Sequence, residues 1–115
     1  MEKFIFLFRG SDIYLPDQSS EAYEKLASKM FNWLEGLSEK GMHISSEQFS
    51  RTGRQINGSG KSVTDGPFGS LQQIIGGYTI LQAAGIEQAL ATAMTCPILE
   101  TNANIEIRPI QDVQI

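Results

Sequence analysis

The chain is short of the residues on which most site chemistry depends. Among 115 residues it has one cysteine, Cys96, and one histidine, His43. A lone cysteine cannot close an internal disulfide, so a reduced cytoplasm is the expected setting. One His and one Cys far apart in sequence offer no metal-ligand spacing, and neither a metal nor another cofactor is expected. Basic residues are also scarce: 9 Lys and Arg face 13 Asp and Glu, for a net charge of −4. That balance argues against nucleic acid or an anionic membrane as a partner. The apolar run from Phe4 to Phe8 is too short for a signal-peptide core or a membrane span, and reads as a buried strand.

What is present describes a single domain over residues 1–115, with 41% hydrophobic and 19% charged residues. Residues 3–9 form a first strand, apolar on both faces. A polar connection with Asp12, Pro16 and Asp17 leads to a helix capped by Ser19 or Ser20. Along that helix Tyr23, Leu26, Met30, Trp33, Leu34 and Leu37 recur at helical spacing, and Gly41 is the expected left-handed stop. Residues 42–49 read as a weaker strand, diluted by Ser45, Ser46, Glu47 and Gln48. Residues 51–56 and 61–64 read as hairpin arms around Asn57-Gly58-Ser59-Gly60. A short helical turn is expected over 70–75 and a strand over 77–82. A second helix follows over 86–96, with Ile86, Ala89, Leu90, Ala93 and Met94 on one face and Pro97 ending it. Ile105 to Arg108 alternates as a closing strand, and Pro109 marks its end or an edge.

The order β-α-β-hairpin-β-α-β predicts an α+β, ferredoxin-like split βαβ fold, an antiparallel sheet with both helices on one face. The other face carries apolar side chains that need cover. At about 25 cal/mol per Å² of apolar area, a two-fold homodimer closing sheet against sheet is the economical solution.

Four separated segments carry a family resemblance. They are Val63-Thr64-Asp65-Gly66-Pro67-Phe68, Ile75-Gly76-Gly77-Tyr78, Glu87-Gln88-Ala89-Leu90 with Pro97, and Ile105 to Ile110. In order and spacing they resemble the DGPF branch of the YCII-related family over nearly the whole chain. The resemblance implies a dimeric α/β barrel. The chain departs from the branch after Phe68, where a Glu, a Lys and a second Glu are replaced by Ser70, Gln72 and Gln73. The wider family implies a catalytic His near the start of the first helix and an Asp before the proline that ends the second. Here the first helix holds no His, and Cys96 precedes Pro97.

Candidate ligand-binding residues are Asp65, Tyr78 and Arg108. Asp65 lies in a turn beside the sheet end, although its carboxylate also suits capping the amides of Gly66 to Phe68. Arg108 shares a strand face with Glu106, fit either for an anion held by a poised guanidinium or for a plain surface ion pair. Tyr78 follows two glycines on a strand, and its hydroxyl is a candidate pocket group. Tyr14 and Trp33 are further cavity candidates, with core packing the ordinary role of Trp33.

His43 and Asp65 are the candidate general bases, His43 if Asp12 or Glu47 orients it. Cys96, near a helix C-terminus, has a dipole environment that disfavours the thiolate. Gly58-Ser59-Gly60-Lys61-Ser62 is similar to the tail of a phosphate-binding loop, but Gln55 stands where the pattern needs glycine and a strand follows.

The composite expectation is a cytoplasmic homodimer that binds a small organic ligand. The alternatives are a cofactor-independent isomerase or lyase, with Arg108 steadying an oxyanion, and a protein-interaction module.

Overall fold

Alternation along the first strand sorts its side chains cleanly. Phe4, Phe6 and Phe8 are buried, whereas Ile5, Leu7 and Arg9 between them are half-buried. The computed structural model describes residues 1–10, 21–50, 52–66, 69 and 73–113. The expectations for Asp12, Tyr14, the Ser19 or Ser20 cap, Pro67, Phe68, Ser70 and Gln72 concern positions outside the described residues.

The strands are β1 (Glu2–Arg9), β2 (His43–Gln48), β3 (Arg54–Asn57), β4 (Ser62–Asp65), β5 (Ile75–Ala83) and β6 (Asn104–Pro109). The helices are α1 (Glu21–Glu39) and α2 (Ile86–Met94), with a short 3-10 turn at Pro97–Glu100. The main sheet runs β2-β5-β1-β6, and its pairings are antiparallel. This is the strand order of the ferredoxin-like split βαβ fold, as the element order implied.

α1 stops where expected. Gly41 takes φ +72°, its N–H donates to Ser38 O, and the Met42 N–H donates to Leu37 O at 2.9 Å. This paired bonding satisfies the last carbonyls of the helix, and the buried Leu37 and Met42 accompany it. α2 is shorter than the sequence suggests. It ends at Met94 because Cys96, preceding Pro97, is driven to an extended conformation at φ −71°, ψ 125°.

One core lies between the helices and a single sheet face. It joins Phe4, Phe6, Phe8 and Leu81 to Leu37, Ala89, Ala93 and Ile98, with Trp33 packed against it. Only part of the expected α2 face is inside: Ala89 and Ala93 are buried, while Ile86, Leu90 and Met94 are exposed. The small alanines set the row along which this helix approaches the sheet closely.

No described helix covers the opposite sheet face. Cross-strand register places Ile5, Leu7, Tyr78 and Ile80 there, bordered by Arg9, Glu47, Glu106 and Arg108. β3 and β4 pair separately, turned by residues 58–61, and their residues are exposed except Asn57. Pro109 ends β6 at the sheet edge, where its missing N–H costs nothing.

Candidate functional site

A cavity of about 280 Å³ opens between α1 and the part of the sheet formed by β1, β5 and β2. Its wall is mainly apolar, built from Phe8, Met30, Phe31, Leu34 and Ile98, with Tyr23 from the first turns of α1. Its polar side is Ser46, Glu47, Gln48 and Thr79 on β2 and β5, with Glu47 at the border because its side chain belongs to the other sheet face. A dry cavity of about 150 Å³ accepts benzene, so this volume suits one substituted ring.

Thr79 is the one buried polar residue among those described, at 1% exposure. Its Oγ1 lies 2.8 Å from Ser46 Oγ, which lies 2.9 Å from His43 Nε2. A bulge creates this chain. The β2–β5 register shifts between His43 and Ser45, leaving Ile44 without a partner in β5. The extra residue re-phases the strand, so His43 opposite Leu81 and Ser46 opposite Thr79 share the helix-side face. Regular alternation would instead have grouped His43 with Ser45 and Glu47.

Gly77 brings β2 and β5 close at the rim. A Cβ there would stand 2.7 Å from Glu47 O, which accounts for one glycine of the Gly-Gly pair. Tyr78 borders the cavity, but the register turns its side chain to the bare face, against the Phe49 ring at 5.8 Å.

The other expected site residues are dispersed. Asp65 ends β4 on the exposed hairpin, its carboxylate 3.5 Å from Arg54 Nε. Arg108 lies on β6, and His43 on β2, so they occupy opposite edges and opposite faces of the sheet. Three strand spacings, roughly 14 Å, separate those edges. Asp65, Tyr78 and Arg108 are therefore not brought to one pocket, and Arg108 is not placed to serve a base at His43.

Arg9 was not anticipated. Its guanidinium contacts Glu106 Oε1 at 3.1 Å and donates to Gln73 O at 2.8 Å, whereas Arg108 reaches Glu106 Oε2 only at 3.5 Å. Glu106 is thus shared between two arginines, with Arg9 the nearer. The β1–β6 register sets Arg9 opposite Asn104, so its guanidinium reaches the Glu106 carboxylate two positions along β6.

Trp33 packs against Phe6, ring centroids 6.4 Å apart, and its Nε1–H donates to Thr95 Oγ1 at 2.9 Å, which is a core role. Burial pushes the Cys96 thiol up to about 11, opposed by the Ile98 N–H. The direction is the expected one, with desolvation as its cause. Cys96 Sγ lies 3.6 Å from Met30 Sδ. Among the described residues no three His, Cys, Asp or Glu side chains gather as a metal site requires, and no described helix is long and apolar enough to cross a membrane.

The fold is thus a ferredoxin-like α+β sheet with a pocket on its helix-covered face. The YCII-related domain model matches residues 12–114, and the chain belongs to the YCII-related family. The structure is similar to that of 5-chloro-2-hydroxyhydroquinone dehydrochlorinase from Burkholderia phenoliruptrix AC1100, solved in complex with 2,5-dihydroxybenzoquinone. The TM-score is 0.50 at 11% identity, over 94% of this chain and 93% of that one. That likeness concerns the fold. No curated protein matches the sequence.

Proposed function

We propose that this YCII-related protein binds a small oxygen-bearing aromatic molecule in the cavity between α1 and the sheet. The carrying observation is the cavity itself, an apolar and aromatic wall facing the Ser46 and Thr79 hydroxyls. Such a lining favours a flat apolar body with one polar end. The ligand named for the structurally similar dehydrochlorinase, 2,5-dihydroxybenzoquinone, is a single oxygenated ring and fits the same description. The polar lining is assigned to Ser46 and Thr79 in place of Asp65, Tyr78 and Arg108. A cytoplasmic setting accords with a buried, unpaired Cys96 thiol.

The test is a thermal-shift and NMR panel of phenols, quinones and benzoates, run on the full chain and on Ala27→Trp, which fills the cavity. Stabilisation of the parent and its loss in the variant are expected. No stabilisation and no movement of the Ser46 and Thr79 amides across the panel would sink the reading.

We also propose that the bare sheet face is closed by a second copy. Its centre is apolar, and opposite edges carry Glu47 and Arg108. A two-fold axis along the strands would set the β2 edge of each copy against β6 of the other and bury the apolar centre between them. Sedimentation at micromolar concentration should give a dimer for the parent and a single subunit for Leu7→Asp. A stable single subunit for the parent would overturn the proposal.

A further inference from the structure

The β3–β4 hairpin stands apart from the core. From residue 52 to residue 65 the chain is exposed, with Asn57 half-buried. A two-stranded hairpin is marginal in water by itself and needs a further layer to pack against. Its two faces differ in what they still lack. Register sets Gln55 opposite Thr64 and Asn57 opposite Ser62 on one face. That face bonds within itself: Gln55 Nε2 donates to Asn57 Oδ1 at 2.6 Å, and Asn57 Nδ2 to Ser62 O at 3.1 Å. The other face pairs Ile56 with Val63, beside the Arg54–Asp65 ion pair. Ile56 is 70% exposed and Val63 57%, so this apolar pair is uncovered.

We infer that the hairpin is an arm that clasps a second copy of the chain, seating Ile56 and Val63 on the corner formed by Met94 and Leu99. The inference rests on the dimer reading above and adds a contact which that reading does not contain. Charge selects this occupant. Residues 51–65 hold three of the 9 Lys and Arg but one of the 13 Asp and Glu. The other residues hold six basic against twelve acidic groups, so an arm at net +2 meets a body at net −6. The arm also continues the bare sheet face, because Phe49, which leads into it, packs on Tyr78 of that face. Gly53 and Gly66 form its neck, the Gly66 N–H donating to Gly53 O at 2.8 Å, and their backbone freedom lets the arm turn toward a facing copy.

The two-fold axis along the strands brings arm and seat together. Through Gly77 and Phe8, register puts Gln48 at the end of β2 level with Ile105 near the start of β6. That axis keeps levels and exchanges edges, so each arm leaves over the start of the partner's β6. Leu99 lies in the turn just before β6, and Met94 ends α2; both are exposed. α2 packs on β5 and β6, turning Ala89 and Ala93 inward and Gln88, Ala91 and Thr92 to the groove beside α1. Its remaining side, with Leu90 and Met94, therefore faces away from α1, beyond the β6 edge. Residues 49–56 reach about 27 Å when extended. The facing sheet and the helix layer behind it require about 20 Å, at about 10 Å a layer.

Sedimentation of the full chain and its variants tests the contact, and a cross-link tests the seat. Ile56→Asp is expected to raise the dimer dissociation constant by about a hundredfold, since each dimer loses the contact twice at about tenfold apiece. Thr64→Ala, on the arm's polar face, should leave it within about twofold. After subunit exchange and copper-phenanthroline oxidation, a mixture of Ile56→Cys and Leu99→Cys chains should form a disulfide-linked pair that neither variant forms alone. Cys96 is buried and stays out of that reaction. If the parent is a dimer and Ile56→Asp matches it, the arm contact is overturned and the sheet-to-sheet reading stands. The arm's occupant is then another protein or its own chain. If Ile56→Asp weakens the dimer but the mixture forms no linked pair, the seat at Leu99 is overturned. A single-subunit parent overturns both readings.

Discussion

Gly77 and Glu47 sit so close that a single methyl group on the glycine would come within 2.7 Å of the Glu47 carbonyl oxygen. Neither neighbour can yield cheaply, because the obstructing atom is backbone within the β2–β5 ladder. Gly77→Ala should therefore push β2 outward and cost about 1–3 kcal/mol, the range for overpacking a filled site. Urea unfolding checks this, and a loss below measurement error would mean the strands have slack.

Gly36 offers the opposite case. It lies inside α1, and a Cβ there would meet nothing within 4 Å. Gly36→Ala should stabilise the chain by about 0.5–1 kcal/mol, because the unfolded state loses freedom and the helix gains a better former. The same unfolding experiment reads it, with the urea midpoint moving up.

Cys96 predicts an alkaline dependence. Its thiol is raised from 9.0 to about 11 in the folded state by burial. A pKa raised on folding favours the folded state while both forms are protonated. The contribution, of order 2–3 kcal/mol, is complete below the unfolded value and is lost as pH rises through the folded one. Stability of the parent should fall between about pH 9 and 11 more steeply than that of Cys96→Ala. A thiol reagent should modify Cys96 only on unfolding.

The shared Glu106 predicts a hierarchy among ion pairs. Arg9–Glu106 is part-buried, with side chains 28% and 36% exposed, whereas Lys25–Glu21 is 71% and 80% exposed. Glu106→Gln should cost about 0.5–1 kcal/mol and Glu21→Gln a few tenths at most. Added salt should erase the second difference before the first. Equal losses would show that partial burial does not strengthen the Arg9 contact.

Much of the architecture was legible because it depends on local rules. A continuous apolar run exposed β1, alternation exposed β6, helical spacing exposed α1, and Gly41 marked its end through a conformation other residues resist. Asn57-Gly58-Ser59-Gly60 likewise marked the hairpin. The site was less legible. Ser45 and Ser46 looked like dilution of a strand, although a threonine in a buried register of β5 needs just such a hydroxyl partner. Arg9 was overlooked because β1 and β6 lie far apart in sequence, and only their pairing brings its guanidinium to Glu106.

By itself, the order of apolar and turn residues determined the elements, the antiparallel sheet and the side on which both helices lie. Those follow from short-range sterics and from the need to bury one face. Tertiary structure alone decided the pocket. The bulge at Ile44, which no periodicity announces, moves His43 onto the face of Ser46 and Thr79 and away from Glu47. One extra residue in one strand inverts which side chains meet, because strand partners alternate every second position.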